Sequence, residues 1–202
     1  LTSGLTCQAS APEPAAAAYV LMEADSGRVL LARNEEQRRS IASTTKIMTC
    51  LVALEHSTLT DKVTVRREHL REGSSMYLAE GESLTMEELL YGLMLPSGND
   101  AAECIAAHCG GIGGSAQFVR WMNEKAKALG MEHTSFMNPS GLDEAGHGSC
   151  ALDMARLAAC AMQDPTFARI VSTRTACVGA RTMTNHNKLL ASYPGCIVLK
   201  TG

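Results

Sequence analysis

Residues 40–57, SIASTTKIMTCLVALEHS, decide how this chain folds. Ile47, Met48, Leu51, Val52 and Leu54 recur at intervals of three and four, the spacing of one helix face. The serines and threonines ahead of them offer N-cap chemistry, which predicts a long buried helix beginning near Ser43. Ser43 and Lys46 then share a face, one turn apart and within hydrogen-bonding reach.

The pattern on either side is that of a mixed chain. Upstream, YVLMEADSGRVLLAR (residues 19–33) holds two apolar runs around Asp25-Ser26-Gly27 and reads as a hairpin. Downstream, REGSSMYLAEGESLT (residues 71–85) is punctuated by Gly and Ser and reads as a loop, and MEELLYGLML reads as a short helix stopped by Pro96. Helical patterns return in DAAECIAAHC, in SAQFVRWMNEKAKALG ended by Gly130, and in SCALDMARLAACAMQ, with a further helix start at Asp164-Pro165. A second hairpin is expected around Gly179, and GCIVLKTG (residues 195–202) reads as a final strand. Sheet, helices and sheet again predict an α/β (α+β) domain over residues 18–202, its antiparallel sheet built from both chain ends around a helical lobe.

Composition narrows the function. The chain has 202 residues, enough to bury a core, and a net charge of -3, which excludes the basic surface of a nucleic-acid binder. No stretch reaches the ~20 apolar residues of a membrane-spanning helix. Residues 1–17 resemble the tail of a signal peptide, with Ala9-Ser10-Ala11 as a small-x-small cleavage site and a Pro/Ala spacer after it, so an exported protein is expected. The eight cysteines form no compact disulfide framework; Cys50, Cys104 and Cys160 fall in apolar helical patterns and read as buried thiols. Cys104, His108 and Cys109 lack a second ligand pair at zinc spacing, so neither a metal nor a cofactor is expected.

Three short motifs carry chemistry. In Ser43-Thr44-Thr45-Lys46, a serine hydroxyl becomes a nucleophile once a base takes its proton, and a lysine serves as that base when burial or a second cation lowers its pKa. In Ser97-Gly98-Asn99, a loop glycine lets a hydroxyl and a carboxamide project together, one as proton relay and one as substrate ligand. In Lys200-Thr201-Gly202, a cation and a hydroxyl suit a carboxylate, and the glycine lets a peptide backbone approach. Taken singly, each also fits a cap, a turn or a charged strand end.

Their order and their contexts match the signature of penicillin-binding proteins and class A β-lactamases. Together with IASTTKIMT, GSSMYL, LLYGLMLPSGNDAAE, KALGMEHTSFMNPSGLDEAGH, DPTFARIVST and NHNKLL, the chain from about Ala18 to Gly202 resembles the D-alanyl-D-alanine carboxypeptidases of the low-molecular-mass penicillin-binding proteins. That resemblance implies that Ser43 attacks the terminal D-Ala-D-Ala bond of a peptidoglycan stem peptide and forms an acyl-enzyme that water hydrolyses. It implies Lys46 as base, Ser97 as relay, Asn99 as ligand of the substrate amide, and Lys200, Thr201 and Gly202 around the terminal carboxylate, with β-lactams as inhibitors. Ser74, Ser75 and His147 match segments near the family's cleft, although the residues themselves read as loop structure.

The resemblance also implies that Lys-Thr-Gly lies on an internal strand, followed by further strands, a helix and in places a second domain or a membrane anchor. Residues 1–202 by themselves are therefore expected to be poorly stable and nearly inactive, because the residue after Lys-Thr-Gly supplies one of the family's two oxyanion donors. A class A β-lactamase would need an E-x-x-L-N segment to position water; none occurs between Ser97 and Lys200, and Glu144 is the nearest carboxylate in a suitable loop. D,D-endopeptidase action and binding of peptidoglycan peptides without catalysis are the remaining alternatives.

Overall fold

The structure is a computed structural model that describes residues 14–192, 196 and 199–201. The signal-peptide reading therefore lies almost wholly outside the described residues, as do Gly202 and much of the expected final strand. The chain opens with the expected hairpin, β1 (Tyr19–Met22) against β2 (Val29–Arg33), antiparallel with an irregularity between Leu21 and Met22. A 3-10 turn (Ala42–Thr45) then leads into α1 (Lys46–His56). Lys46 through Ala53 are buried without a break, so α1 is enclosed on every side rather than lying on the surface of the core. Around it pack α2 (Met86–Met94), α3 (Asn99–Gly110), α4 (Gly114–Ala128), α5 (Ala151–Ala161) and α6 (Pro165–Val171).

Local chemistry explains where these helices begin and end. Thr85 and Glu88 form a reciprocal capping box at the start of α2, satisfying backbone donors that the helix cannot. Pro96 follows the end of α2, and Gly130, at φ +66, follows the end of α4. Asp164 caps α6 by accepting from Thr166 and Phe167 N–H, with Pro165 at the first helical position.

Two short strands pair, β3 (Lys62–Thr64), absent from the sequence expectations, and β4 (Ser83–Thr85), at the end of the expected loop. Three residues are too few for alternation to register, so the pair is set by the core burial of Val63 and Leu84. The second hairpin, β5 (Thr175–Val178) with β6 (Arg181–Thr184), turns at Gly179 as expected, and α7 (Leu189–Ser192) follows. Arg181 grips the Glu82 carboxylate with both terminal nitrogens and so ties this hairpin to the segment before β4. Among the described residues the strands form three separate two-stranded antiparallel sheets. Cys196 and Leu199–Thr201 stand outside any of these strands, although Leu199 packs against the core. No helix among the described residues is long and apolar enough to cross a membrane.

Phe118, on α4, is fully buried in the core, whereas Ile112 is fully exposed. Phe118→Ala is therefore expected to cost about 3–5 kcal/mol of stability, and Ile112→Ala within about 0.5 kcal/mol of nothing. Paired denaturant titrations check this; equal losses would contradict the placement of the core.

Candidate active site

Ser43 sits in the 3-10 turn, one turn ahead of α1 rather than at its cap, and Lys46 is the first α-helical residue. The three-residue spacing still brings the two side chains together: Lys46 Nζ lies 3.1 Å from Ser43 Oγ. Two further oxygens surround the amine, Ser140 O at 2.6 Å and Asn99 Oδ1 at 2.8 Å. Both are carbonyl oxygens and can only accept. A neutral amine has two N–H donors and one lone pair, so these acceptors take both hydrogens and leave the lone pair facing the serine hydroxyl.

The electrostatics favour that neutral form. Lys46 has no exposed surface, and burial is the main reason its pKa falls from 10.5 to about 7. Lys200 adds a repulsive cation that lowers it further, while Asp100 pulls it back up. Lys200 is itself lowered to about 8 by burial, and its amine donates to Thr201 O at 2.7 Å. Lys200 thus acts on Lys46 through charge; Thr201 is exposed, and Gly202 lies outside the described residues.

Ser97 is buried, holds φ at +65, and its Oγ has no hydrogen-bond partner among the described residues. A non-glycine residue in the left-handed region with an unsatisfied buried hydroxyl is costly twice over, a combination that marks functional positions. Asn99 is fixed at both ends of its carboxamide, Oδ1 accepting from Lys46 and Nδ2 donating to Glu72 O at 2.8 Å. Its backbone N–H donates to Ser74 O at 2.7 Å, so Ser74 takes part through its main chain.

Asp100 was not singled out for the site by its sequence context, yet it organises the neighbouring loop. Buried at the start of α3, it accepts from Ser75 Oγ and from the N–H groups of Met76 and Leu78. The carbonyl of Ser140 was missed as well, because a main-chain oxygen has no side-chain signature. His147 stands beside the site in a supporting role: its Nδ1 accepts from Met137 N–H at 3.0 Å, so its Nε2–H donates to Thr45 Oγ1 at 2.8 Å. Burial lowers its pKa and keeps this neutral tautomer.

Among the described residues no group of three or more ligating side chains could hold a metal. Burial pushes the Cys104 thiol up to about 12 and Cys109 to about 11, which keeps both protonated and unreactive. Cys50 and Cys104 are the buried free thiols expected; Cys160 is only partly buried.

Residues 6–202 match the protein family described as D-alanyl-D-alanine carboxypeptidase. D-alanyl-D-alanine carboxypeptidase DacF of Bacillus subtilis is 38% identical over 195 residues, covering 91% of this chain and 49% of that protein. The chain thus spans about half the length of that relative. A D-alanyl-D-alanine carboxypeptidase of Streptomyces sp. strain K15 is 35% identical, covering 100% of this chain and 77% of its own length. Among solved structures, the Streptomyces K15 DD-transpeptidase superposes with a TM-score of 0.90 at 33% identity, over 96% of this chain and 82% of that one.

The Ser140 carbonyl depends on a tight contact next to it. A Cβ on Gly141, at φ +87, would lie 1.9 Å from the backbone oxygen of Ala42, the residue before Ser43. Gly141→Ala is therefore expected to lower stability by about 2 kcal/mol or more and to slow acylation of Ser43. Thermal unfolding and a labelling rate check both; a variant unchanged in each would contradict the contact.

Proposed function

This chain belongs to the D-alanyl-D-alanine carboxypeptidase family, and on that premise we propose that it is a serine D,D-carboxypeptidase acting through an acyl-enzyme on peptidoglycan stem peptides. The observation that carries the reading is the Lys46 amine, two of whose bonds run to acceptor-only oxygens and the third to Ser43 Oγ. As the oxygen attacks the carbonyl carbon of the D-Ala-D-Ala bond, its proton passes to Lys46 Nζ. The C–N bond then breaks, and the departing D-Ala amine takes a proton by way of the Ser97 hydroxyl, whose oxygen is otherwise unengaged. Water attacks the Ser43 ester, returns the proton to the serine oxygen and releases the shortened peptide as a carboxylate.

Lys200, with Thr201 and Gly202, holds the substrate's free carboxylate, and the Lys200 charge also keeps Lys46 deprotonated. Asn99 works first as a clamp on Lys46, and from that fixed position its carboxamide borders the substrate amide. β-Lactams acylate Ser43 as substrate mimics. The reaction takes place outside the cytoplasm on cell-wall peptidoglycan.

Activity should follow a narrow bell in pH. Below about 7 Lys46 is protonated and cannot accept the serine proton; above about 8 Lys200 loses the charge that binds the carboxylate. Lys200→Gln removes the repulsion on Lys46 and should move the acid limb to higher pH, a sign that the pH profile of kcat/KM reads directly. Lys46→Ala should slow acylation about 100- to 10,000-fold. Intact-mass analysis after exposure of the full-length protein to benzylpenicillin should show one adduct that Ser43→Ala abolishes. A folded protein that forms no adduct would overturn the acyl-enzyme and favour peptide binding without catalysis.

A further inference from the structure

Lys62, Arg66, His69 and His108 take no part in the site described above, yet the fold gathers them around one cavity of about 350 Å³. They arrive on three elements. Lys62 opens β3, Arg66 precedes and His69 closes the 3-10 turn Arg67–His69, and His108 lies in the last turn of α3. No carboxylate is among the lining residues. Because α3 begins at Asn99, the cavity stands at its other end, about 13 Å along the helix axis from the reaction centre. Arg66 meets Glu68 at 3.7 Å and His108 meets Asp61 at 3.8 Å, pairs exposed enough to contribute little. Lys62 is exposed and has no ion pair among the described residues.

His69 is the informative member of the group, being only 5% exposed. Its Nδ1 accepts from Arg66 N–H at 3.1 Å, and burial lowers its pKa, so the neutral ring carries its hydrogen on Nε2. No described residue accepts that hydrogen. Ser97 Oγ is nevertheless the one fully enclosed side-chain nitrogen or oxygen without a partner among the described residues. The His69 Nε2–H therefore reaches open space, and the space that His69 borders is this cavity. A nearly buried donor fixed in one tautomer, with three further basic side chains around the same space, calls for an anionic acceptor.

We propose that this cavity is a second binding site, separate from the reaction centre, for a phosphate-bearing molecule. The His69 Nε2–H donates to one phosphate oxygen, and Lys62 and Arg66 donate to others. Donors converging from three elements suit a tetrahedral phosphate better than a planar carboxylate. A cavity of this volume falls in the range that holds a small molecule rather than a bare ion, so the phosphate enters as an ester. The carbonyl of His108, at the end of α3, does not oppose the anion, because it already accepts from Gly111 N–H.

The test follows the His69 ring signals of the full-length protein by NMR, assigned by their loss in His69→Gln, during titration with glycerol 3-phosphate, dimethyl phosphate or acetate. Glycerol 3-phosphate should move those signals to saturation. Lys62→Gln, a change at an exposed position that should leave the melting temperature as it is, should weaken the binding about 10-fold or more. Dimethyl phosphate that binds comparably supports the site as one for a phosphodiester; a binding monoester beside a diester that fails supports it as one for a terminal phosphate. Signals that do not move, or an affinity that Lys62→Gln leaves unchanged, overturn the proposal. Acetate that binds as tightly as glycerol 3-phosphate overturns it as well, because the site would then not select phosphate.

Discussion

A primary amine without exposed surface, with two carbonyl oxygens at hydrogen-bonding distance, has one direction left for its lone pair. For Lys46 that direction is Ser43 Oγ. Burying a lysine is expensive in its charged form, and a charged Lys46 would also face Lys200. The neutral form removes both costs and is the form the chemistry needs. What would be a liability in a purely structural helix therefore suits Lys46 to the role of base proposed for it. The enclosure of α1 by five other helices keeps the amine dry enough for this to hold.

The parts around that amine come from distant points in the chain and are held by backbone contacts rather than by mass. Ser140 supplies a carbonyl through a loop pressed on Ala42, and Asn99 supplies another from the start of α3. One residue further on, Asp100 ties down the loop that carries Ser74 and Ser75. Of the four non-glycine residues at positive φ among the described residues, Ala42 precedes Ser43, Ser97 follows Pro96 near Asn99, and Tyr77 lies on the loop that Asp100 ties down. Strain is thus concentrated where geometry is most constrained, while the helices behind it follow ordinary capping and burial rules.

Much of this was legible in the amino-acid order, and the parts that were not share a cause. The helices could be read because their apolar residues repeat over several turns and their ends carry Pro96, Gly130 or Asp164. The β3 and β4 pair escaped because three residues leave no period to detect. The meeting of Ser43 and Lys46 was legible because three residues separate them. Asp100 and the Ser140 carbonyl were not, since one reads as a helix cap and the other is main chain. Placing Ser43 on an α-helix was wrong by one turn of backbone type: the residues 42–45 close a 3-10 turn first, yet a separation of three residues brings side chains together in both geometries.

The measurement that tests this account most directly is an NMR titration of the Lys46 side-chain amine in the folded protein, assigned by the loss of its signal in Lys46→Met. The amine should titrate near pH 7, well below the ordinary 10.5. A Lys46 that keeps its proton to pH 10 would contradict the account, because no lone pair would then be available to Ser43 at the pH where the protein works.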